Sequence, residues 1–268
     1  DSRTRVLVPM VSAVCSTPPD RMLRFPAMTL LRFWHNHWLL GMDTPYPWFT
    51  VVNGAKSYVT KLTEPLRGRV QLKNRAVRVE RHAGGVRIAT QSGGVREFDK
   101  VILACHADQA LALLADPTDM ERRLLGAFQY QPNTATLHTD ASFMPRTRRC
   151  WASWNYRIDE AQDGGALPTT HYWMNSLQGV SRRKDYFVSL NSHDRIAPAD
   201  VLKRIEYTHP LFDTAALAAQ GELPRLNRLG PAQNTYYAGA WFKYGFHEDG
   251  FTSRLARRPP VPLLALCT

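Results

Sequence analysis

The sequence predicts an α/β protein of the mixed α+β kind, in which helices flank an antiparallel sheet and a further meander lies outside that sheet. Three observations predict it. Residues 70–104 form strand-like segments with paired-glycine turns, helix-capping patterns follow directly, and residues 134–192 contain four strand-like segments rich in Trp and Tyr. A chain of 268 residues with 44% hydrophobic side chains can form one large domain or two small ones.

Residues 70–104 alternate apolar and polar side chains in three pieces, which the glycine pairs at 84–85 and 93–94 separate. Such period-two patterning with glycine turns predicts a three-stranded antiparallel meander. The third piece ends in an apolar run at 101–105. A run of this kind is typical of a strand buried on both faces of a parallel sheet.

Helices are expected next, at 107–115 and after Thr118, because Glu121 completes a capping box with that threonine. Four strands follow, and then two short helices are predicted. The first covers 197–207, with Pro198 near its first turn, and the second covers 213–221, with an Asp/Thr cap and a stop at Gly221. Residues 222–234 are expected to form a loop before a last strand.

The net charge of +11 permits a nucleic-acid or anionic-membrane partner. However, the basic residues occur in short clusters without a nucleic-acid motif, which favours a solvated basic surface. We therefore expect no nucleic-acid partner, and contact with a membrane surface stays compatible with the charge. The clusters are Arg146, Arg148 and Arg149; Arg182, Arg183 and Lys184; and Arg254, Arg257 and Arg258.

The four cysteines stand far apart without a CxxC pair, which indicates neither a metal site nor a disulfide framework. Reduced thiols suggest a cytoplasmic protein. No apolar run approaches the roughly 18 residues that span a bilayer, so no transmembrane segment is expected.

The stretch "YYAGAWFKYGFHEDGF" at 236–251 predicts a strand that breaks at Gly239 and leads to a helix near Gly250. Asp249 is expected to cap this helix, since carboxylates favour helix N-termini. His247 is a candidate catalytic acid or base, because imidazole titrates near neutral pH.

Several segments carry a resemblance to a known family, and they cover residues 9 to about 253 in consistent order. They include "WFTVVNGAKSYVTKL", "FDKVILACHADQALALLADP", "WASWNYR", "YWMNSLQ" and "YAGAWFKYGFHEDGF". The chain resembles the C-terminal portion of the flavin-containing amine oxidoreductase superfamily, in its bacterial branch of predicted NAD/FAD-binding proteins. This resemblance implies an amine-oxidase-like fold, with an incomplete FAD-binding domain and a substrate domain of antiparallel sheet and flanking helices. It also implies FAD as cofactor.

The resemblance also implies individual flavin contacts. In this superfamily a last strand and the following helix return to the cofactor, where glycine lets the backbone approach closely. Val77 matches a strand position whose backbone faces the adenine, and residues 104–105 match a strand tip near the dinucleotide. The implied cofactor-binding residues are Val77, Ala104, Cys105, Gly239, Ala240, Gly250 and Phe251.

Domain boundaries follow from the same resemblance. Residues 1–69 would hold substrate-domain helices and a linker, and 107–229 the antiparallel substrate domain. Residues 70–106 would supply the meander and a strand of the FAD-binding domain, and 230–268 its last strand and flavin-contacting segment.

The sequence departs from the superfamily at both ends. A GxGxxG turn, which binds the pyrophosphate of FAD, is absent. The end "RLARRPPVPLLALCT" replaces an expected small residue and helix, with Pro259 and Pro260 stopping the helix. These departures suggest a fragment with a frameshifted or truncated end. The absent first strand would leave a sheet edge exposed and promote self-association.

The function implied is an FAD-dependent oxidoreductase, of amine-oxidase or desaturase type, that transfers hydride from a small or lipid-like apolar substrate to flavin. Trp154, Tyr172 and Trp173 are the predicted substrate contacts, although Tyr172 and Trp173 should point to opposite faces of one strand. An alternative is a truncated, catalytically inactive fragment of such an enzyme. A third alternative is a basic protein that binds nucleic acid or a membrane surface. The oligomeric state and the substrate stay open.

Overall fold

The computed structural model describes residues 8, 11–12, 26–36, 47, 49–160, 166–253 and 265–266. The chain divides into two compact units, which we call unit 1 (residues 1–67 and 131–209) and unit 2 (residues 68–130 and 210–268). The domain boundaries that the resemblance implies place 107–130 and 210–229 in a substrate domain, and in the structure both segments lie in unit 2 with the meander. The roles assigned to the predicted domains stay predictions.

The described helices are α1 (Ala27–Asn36), α2 (Ala55–Thr63), α3 (Ala107–Leu113), α4 (Asp119–Leu125), α5 (Met174–Gln178), α6 (Thr214–Gln233) and α7 (His247–Ser253). Among them, none combines the length and the hydropathy needed to cross a membrane. The described strands are β1 (Ala76–His82), β2 (Gly85–Thr90), β3 (Val95–Phe98), β4 (Val101–Leu103), β5 (Gln129–His138), β6 (Trp154–Glu160), β7 (Ala166–Trp173), β8 (Phe187–Leu190), β9 (Val201–Leu211), β10 (Thr235–Tyr237) and β11 (Ala265–Leu266).

Strands β1, β2 and β3 form the antiparallel meander expected from the glycine pairs. Val79, Val86 and Ile88 turn one face of it into the core of unit 2. Gly85 has φ 154°, and a side chain there would overlap the carbonyl oxygen of Phe98. The turn between β1 and β2 therefore depends on glycine.

A second sheet in unit 2 has the order β10-β4-β11, and both neighbours run parallel to β4. Val101 and Leu103 are fully buried, which confirms the expected buried parallel strand. Strand β4 lies inside this sheet, because Ala265 pairs with Ile102 on the side opposite to Tyr236. The expectation of an exposed sheet edge stays a prediction.

Helices α3 and α4 lie where the capping patterns predict them. The Thr118 hydroxyl accepts a hydrogen bond from the Glu121 amide at 3.3 Å, and the Glu121 carboxylate accepts one from the Thr118 amide at 2.8 Å. This reciprocal pair is the expected capping box at the start of α4.

Helix α6 is longer than the sequence pattern predicts. It begins at the expected cap, where the Asp213 carboxylate accepts from the Ala216 amide at 2.9 Å. It then continues through Gly221 to Gln233, so the predicted loop at 222–234 is wrong. A glycine in a helix interior costs only about 1 kcal/mol. The fully buried Leu223 anchors the second half of the helix, and packing thus outweighs the local signal.

The predicted helix at 197–207 is also wrong, because most of that segment belongs to strand β9. Pro198 begins a short 3₁₀ turn, Pro198–Asp200, and the strand starts at Val201. Strand β9 lies at the edge of its sheet, where Pro210 can be accommodated without a lost ladder hydrogen bond.

The sheet of unit 1 has the order β6-β7-β8-β5-β9, which confirms the four strands expected at 134–192. Three neighbouring pairs in this sheet are antiparallel, namely β6 with β7, β7 with β8, and β8 with β5. Phe187 and Ser189 of β8 are buried on one face, whereas Val188 points to the other. This alternation decides which side chains of the sheet can share a site.

Candidate functional site

The carboxyl ends of β4 and β10 meet in unit 2, and most of the predicted flavin contacts gather there. The Gly239 amide donates to the Ser253 hydroxyl at 3.0 Å, and that hydroxyl donates to the Gly250 carbonyl at 2.7 Å. We call Ala104, Cys105, Gly239, Ala240 and Gly250 the junction. Open α/β sheets bind ligands outside the carboxyl ends of their parallel strands, so the junction lies where a cofactor would be expected.

The two glycines of the junction are there for different reasons. A side chain at Gly239 would overlap the indole ring of Trp241, so the protein's own packing requires glycine at this position. A Cβ at Gly250 would lie 3.6 Å from the Ala240 amide nitrogen, which is an ordinary contact, and its φ is not positive. The fold therefore gives no reason for glycine at 250, whereas close approach of a ligand would.

Cys105 supports the junction through its backbone. Its carbonyl oxygen accepts a hydrogen bond from the Trp241 indole at 3.0 Å, and the residue is 8% exposed. The Trp241 ring packs edge-on against Phe128 at 5.2 Å. The strand tip at 104–105 is thus fixed against the segment that follows Gly239.

Asp249 caps α7 as the sequence predicts. Its carboxylate accepts hydrogen bonds from the amides of Tyr244 and Phe246, each at 3.1 Å. His247, the predicted catalytic residue, is exposed at the first position of α7, and Phe251 is 50% exposed. Their functional roles stay predictions.

Val77 lies in the meander and not on the sheet that forms the junction. The pairing register between β1 and β2 shifts between Ala76 and Arg78, which places Val77 at a bulge, and its side chain is 49% exposed. A bulge residue is left out of the regular ladder, so the backbone of Val77 has the irregular geometry often seen at binding sites.

A buried charged cluster lies next to the strand that leads into the junction. Arg81 donates to both carboxylate oxygens of Glu121, at 2.8 and 3.1 Å, and Tyr237 of β10 donates to the same carboxylate at 2.5 Å. Burial opposes ionisation of Glu121, but the hydrogen bonds from Arg81 and Tyr237 outweigh it and lower its pKa. The cluster connects β1, α4 and β10 and so fixes the strand that carries Gly239.

The predicted substrate residues lie in unit 1, on two faces of its sheet. Trp154 and Tyr172 are directly opposite each other on β6 and β7, and burial raises the pKa of Tyr172. Trp173 points to the other face, where its indole donates to Asp185 at 2.9 Å and packs against Trp151 at 5.2 Å. The three residues therefore do not line one cavity, as the alternation predicts.

A cavity of about 320 Å³ opens beside β6 in unit 1. Its apolar wall consists of Phe143, Met144, Pro145, Trp154 and Tyr156. This volume is at the lower end of the range for ligand pockets, and the lining is mostly aromatic and apolar, as in such pockets.

Three polar residues complete the lining, namely Asn155, Arg157 and His171. The Asn155 amide donates to the Ala152 carbonyl at 2.7 Å, and both ring nitrogens of His171 contact hydroxyl groups. Arg157 lies over the Phe143 ring at 5.2 Å. Sequence reasoning did not identify Arg157 as a site residue. Alternation along β6 places its side chain on the face opposite to Trp154 and Tyr156, so it was not grouped with those aromatic residues.

The contacts of His171 belong to a buried neutral chain that sequence reasoning also missed. The Ser189 hydroxyl contacts His138 Nε2 and His171 Nδ1, both at 2.7 Å, and His171 Nε2 contacts the Thr169 hydroxyl at 2.9 Å. All four side chains are at most 3% exposed. The available signal was the alternation of β5, β7 and β8, which turns these polar residues to the same face.

A second depression, of about 430 Å³, lies in unit 2 between Asp108, Gly126 and Tyr130. It is larger than the cavity beside β6, yet the residues that line it include none of the predicted site residues. The junction and the cavity beside β6 are the better candidate sites, because closely approaching glycine backbone occurs in the first and aromatic side chains line the second.

Comparison with models of known protein families shows the family to which the chain belongs. The model of the flavin-containing amine oxidoreductase family matches residues 14–190. The chain belongs to this family. The family implies a flavin cofactor, and the expectation of FAD is thereby confirmed at the level of the family. No protein with a curated description matches the sequence.

Solved structures of this family and of related flavoenzymes share the fold. Cyclohexylamine oxidase from Brevibacterium oxydans IH-35A has a TM-score of 0.58 at 14% identity, covering 93% of this chain and 61% of its own. A reduced UDP-galactopyranose mutase has a TM-score of 0.56 at 13% identity, covering 91% and 61%. A conjugated-linoleic-acid-producing fatty acid isomerase from P. acnes has a TM-score of 0.51 at 18% identity, covering 75% and 51%.

These likenesses confirm the amine-oxidase-like fold. The chain spans between half and three-fifths of the length of these solved structures. Their names refer to an amine, a sugar nucleotide and a fatty acid, so the shared fold does not determine a substrate.

Proposed function

We propose that the protein acts as an FAD-dependent oxidoreductase on a small or lipid-like apolar substrate. The observation that carries this proposal is the match of the flavin-containing amine oxidoreductase family over residues 14–190. When bound, FAD accepts a hydride from the substrate, while the protein positions and orients the reactants.

The junction supports binding of the flavin end of FAD. Gly239, Ala240 and Gly250 bring backbone together at the carboxyl ends of β4 and β10, and the fold leaves glycine at 250 unexplained. His247 is proposed as an acid or base at this end, with Phe251 as an apolar contact. Val77, on the meander bulge, would contribute to binding of the adenine end.

The cavity beside β6 supports an apolar substrate. Trp154 and Tyr156 give it an aromatic wall, with their rings 5.8 Å apart. A net charge of +11 disfavours a polyamine cation, because long-range repulsion slows its approach. Oxidation or desaturation of an acyl or isoprenoid chain fits these properties best.

A second candidate is a catalytically inactive protein of the same fold. The observation that favours it is the absence of a GxGxxG turn from the sequence, since this turn supplies the amides that bind the pyrophosphate. A protein of this kind would keep the flavin contacts of the junction without turning over a substrate. The cytoplasmic location stays a prediction.

Anaerobic reduction of flavin separates the two candidates. The protein would be incubated with FAD, freed of unbound cofactor, and mixed with an unsaturated fatty acid, an isoprenoid alcohol or putrescine. We expect the visible band of oxidised flavin to bleach with an acyl or isoprenoid compound and to persist with putrescine. Bleaching by putrescine alone would contradict the apolar substrate, and a bound flavin that no compound reduces would favour the inactive candidate.

A further inference from the structure

Two short segments of unit 1 contain a concentration of exposed positive charge. The first is residues 146–149 and the second is residues 180–185, and the single acid in these two segments is Asp185. Their six exposed cations are Arg146, Arg148 and Arg149 in the first segment and Arg182, Arg183 and Lys184 in the second.

An ion pair holds the two segments together. Arg148 donates two hydrogen bonds to the Asp185 carboxylate, at 2.8 and 3.1 Å. Its guanidinium also lies over the rings of Trp151 and Trp173, at 4.5 and 5.3 Å. Each of the other five cations lies within three positions of Arg148 or Asp185, so its Cα atom is at most about 11 Å from the Cα atom of that residue. The other five cations therefore gather around the bridge, and we call these five residues the basic patch.

The second segment has a fixed backbone. Asn175 donates to the carbonyls of Ser181 and Lys184, both at 2.8 Å. The Ser181 hydroxyl accepts from the amides of Arg183 and Lys184, at 3.0 and 3.2 Å. The cations of this segment thus project from an ordered loop, which reduces the entropy lost when a partner binds.

The charge of the basic patch is not compensated within the described part of the chain. The hydrogen bond from Arg148 lowers the pKa of Asp185, so the carboxylate is ionised at neutral pH and neutralises Arg148. The five cations of the patch form no ion pair with any residue that the structure describes. Five uncompensated like charges on two joined segments produce a positive local potential, which salt screens over a Debye length of about 8 Å.

We propose that the basic patch docks the protein on a membrane surface that carries anionic lipid headgroups. Val180, which directly precedes the second group of cations, is 50% exposed, and an apolar side chain among cations suits the headgroup region. The nearby rings of Trp151 and Trp173 are covered by Arg148 instead of being available to stack on bases, which disfavours nucleic acid. The proposal does not depend on the proposed oxidoreductase activity.

Co-sedimentation with vesicles tests the proposal. The purified protein would be mixed with vesicles of phosphatidylcholine alone or of phosphatidylcholine with phosphatidylserine, at low and at high salt. We expect binding that requires phosphatidylserine and falls steeply with salt. Each cation near an anionic surface contributes about five-fold in affinity, so the triple variant Arg182→Gln/Arg183→Gln/Lys184→Gln should bind roughly a hundred-fold more weakly.

A matched triple variant controls for net charge. Arg69→Gln/Arg75→Gln/Arg228→Gln removes three exposed cations from unit 2 and should retain the affinity of the unchanged protein. The double variant Arg146→Gln/Arg149→Gln gives a second, independent test, with an expected loss of about 25-fold. Circular dichroism would establish that each variant is folded.

Several results would overturn the proposal. They are an absence of sedimentation with either vesicle, equal binding to both vesicles, and an equal loss of affinity in the matched triple variant. A fourth is measured by fluorescence anisotropy, in which tight binding of a labelled oligonucleotide through the same patch, without vesicle binding, would assign the surface to nucleic acid.

Discussion

Units 1 and 2 each bury a polar cluster, but the two clusters differ in charge. In unit 2, the Glu121 carboxylate lies between the Arg81 guanidinium and the Tyr237 hydroxyl. In unit 1, imidazole and hydroxyl groups form a chain in which Ser189 contacts both His138 and His171. A buried ion pair is costly to break, whereas a neutral chain is worth about one hydrogen bond per contact.

The difference in charge between the two clusters agrees with the part of the molecule that each one holds in place. The charged cluster fixes β10, whose carboxyl end leads to Gly239 and the junction. The neutral chain spans β5, β8 and β7 and presents the His171 ring to the cavity beside β6. A strand whose backbone would contact a ligand must be held rigidly, whereas a neutral His171 ring suits a cavity whose lining is mostly apolar.

The largest expected effect is that of Glu121→Ala. This change removes one of the two carboxylates that Arg81 contacts and leaves Asp116, whose carboxylate accepts from Arg81 at 3.2 and 3.3 Å. It should lower the local free energy of opening in unit 2 by about 3 kcal/mol, the lower end of the range for a broken buried ion pair. Hydrogen–deuterium exchange of peptides from β1 and β10 measures it. The control Glu222→Ala breaks exposed ion pairs with Arg123 and Arg225 and should leave exchange near that of the unchanged protein. Equal effects of the two changes would refute the importance of burial.

Ser189→Ala should have a smaller effect, in unit 1. It removes the hydroxyl that two buried imidazoles share and should cost about 1–3 kcal/mol. Exchange of peptides from β5 and β7 is the measurement. Ser176→Ala, at an exposed serine that contacts Ser153 at 2.8 Å, serves as the control and should be nearly neutral. A neutral Ser189→Ala would show that the chain does not stabilise the sheet.

Two glycines of α6 sharpen the comparison within unit 2. An added methyl group at Gly230 would overlap the Tyr236 ring, so Gly230→Ala should destabilise by about 1–3 kcal/mol. Gly221 has nothing within 4 Å of an added Cβ, so Gly221→Ala should stabilise by up to about 1 kcal/mol. Thermal unfolding measures both. Destabilisation by Gly221→Ala would contradict a continuous helix through this position.

The smallest expected effect is the pH dependence of unit 1. Burial lowers the pKa of His138 below its ordinary 6.5, so the unfolded chain binds a proton first as the pH falls. The contribution of His138 to stability is complete above about pH 6.5 and is lost as the pH falls toward the folded pKa. Exchange of β5 peptides between neutral and mildly acidic pH, with His138→Asn for comparison, checks this sign. Increased protection on acidification would be inconsistent with a buried neutral imidazole.

Local patterns predicted much of the fold. The glycine pairs placed the meander, and the Thr118–Glu121 capping box placed α4, because these signals act within a few residues. The errors arose where packing over long distances decides. Gly221 predicts the end of a helix, yet α6 continues past it because Leu223 and Leu226 are buried in the core. The local pattern at 197–207 predicts a helix, yet most of this segment pairs at the edge of a sheet and belongs to β9.

The candidate site was predictable in part for the same reason. The resemblance indicated the junction glycines, and the structure brings Gly239 and Gly250 together through Ser253. Sequence alone could not show that Trp241 accounts for Gly239 while Gly250 has no structural explanation, since this depends on contacts across the junction. Nor could it show the His138–Ser189–His171 chain, whose members lie on three strands.

Titration with FAD, followed by the visible absorbance and fluorescence of the flavin, tests the central claim most directly. It would compare the unchanged protein with Gly250→Ala and with the control Gly221→Ala, which both place a methyl group where the fold has room. We predict that the unchanged protein and Gly221→Ala bind FAD with equal affinity and that Gly250→Ala binds at least ten-fold more weakly, about 1.4 kcal/mol. A flavin spectrum that the unchanged protein does not perturb, or equal binding by Gly250→Ala, would contradict the assignment of the junction to the flavin.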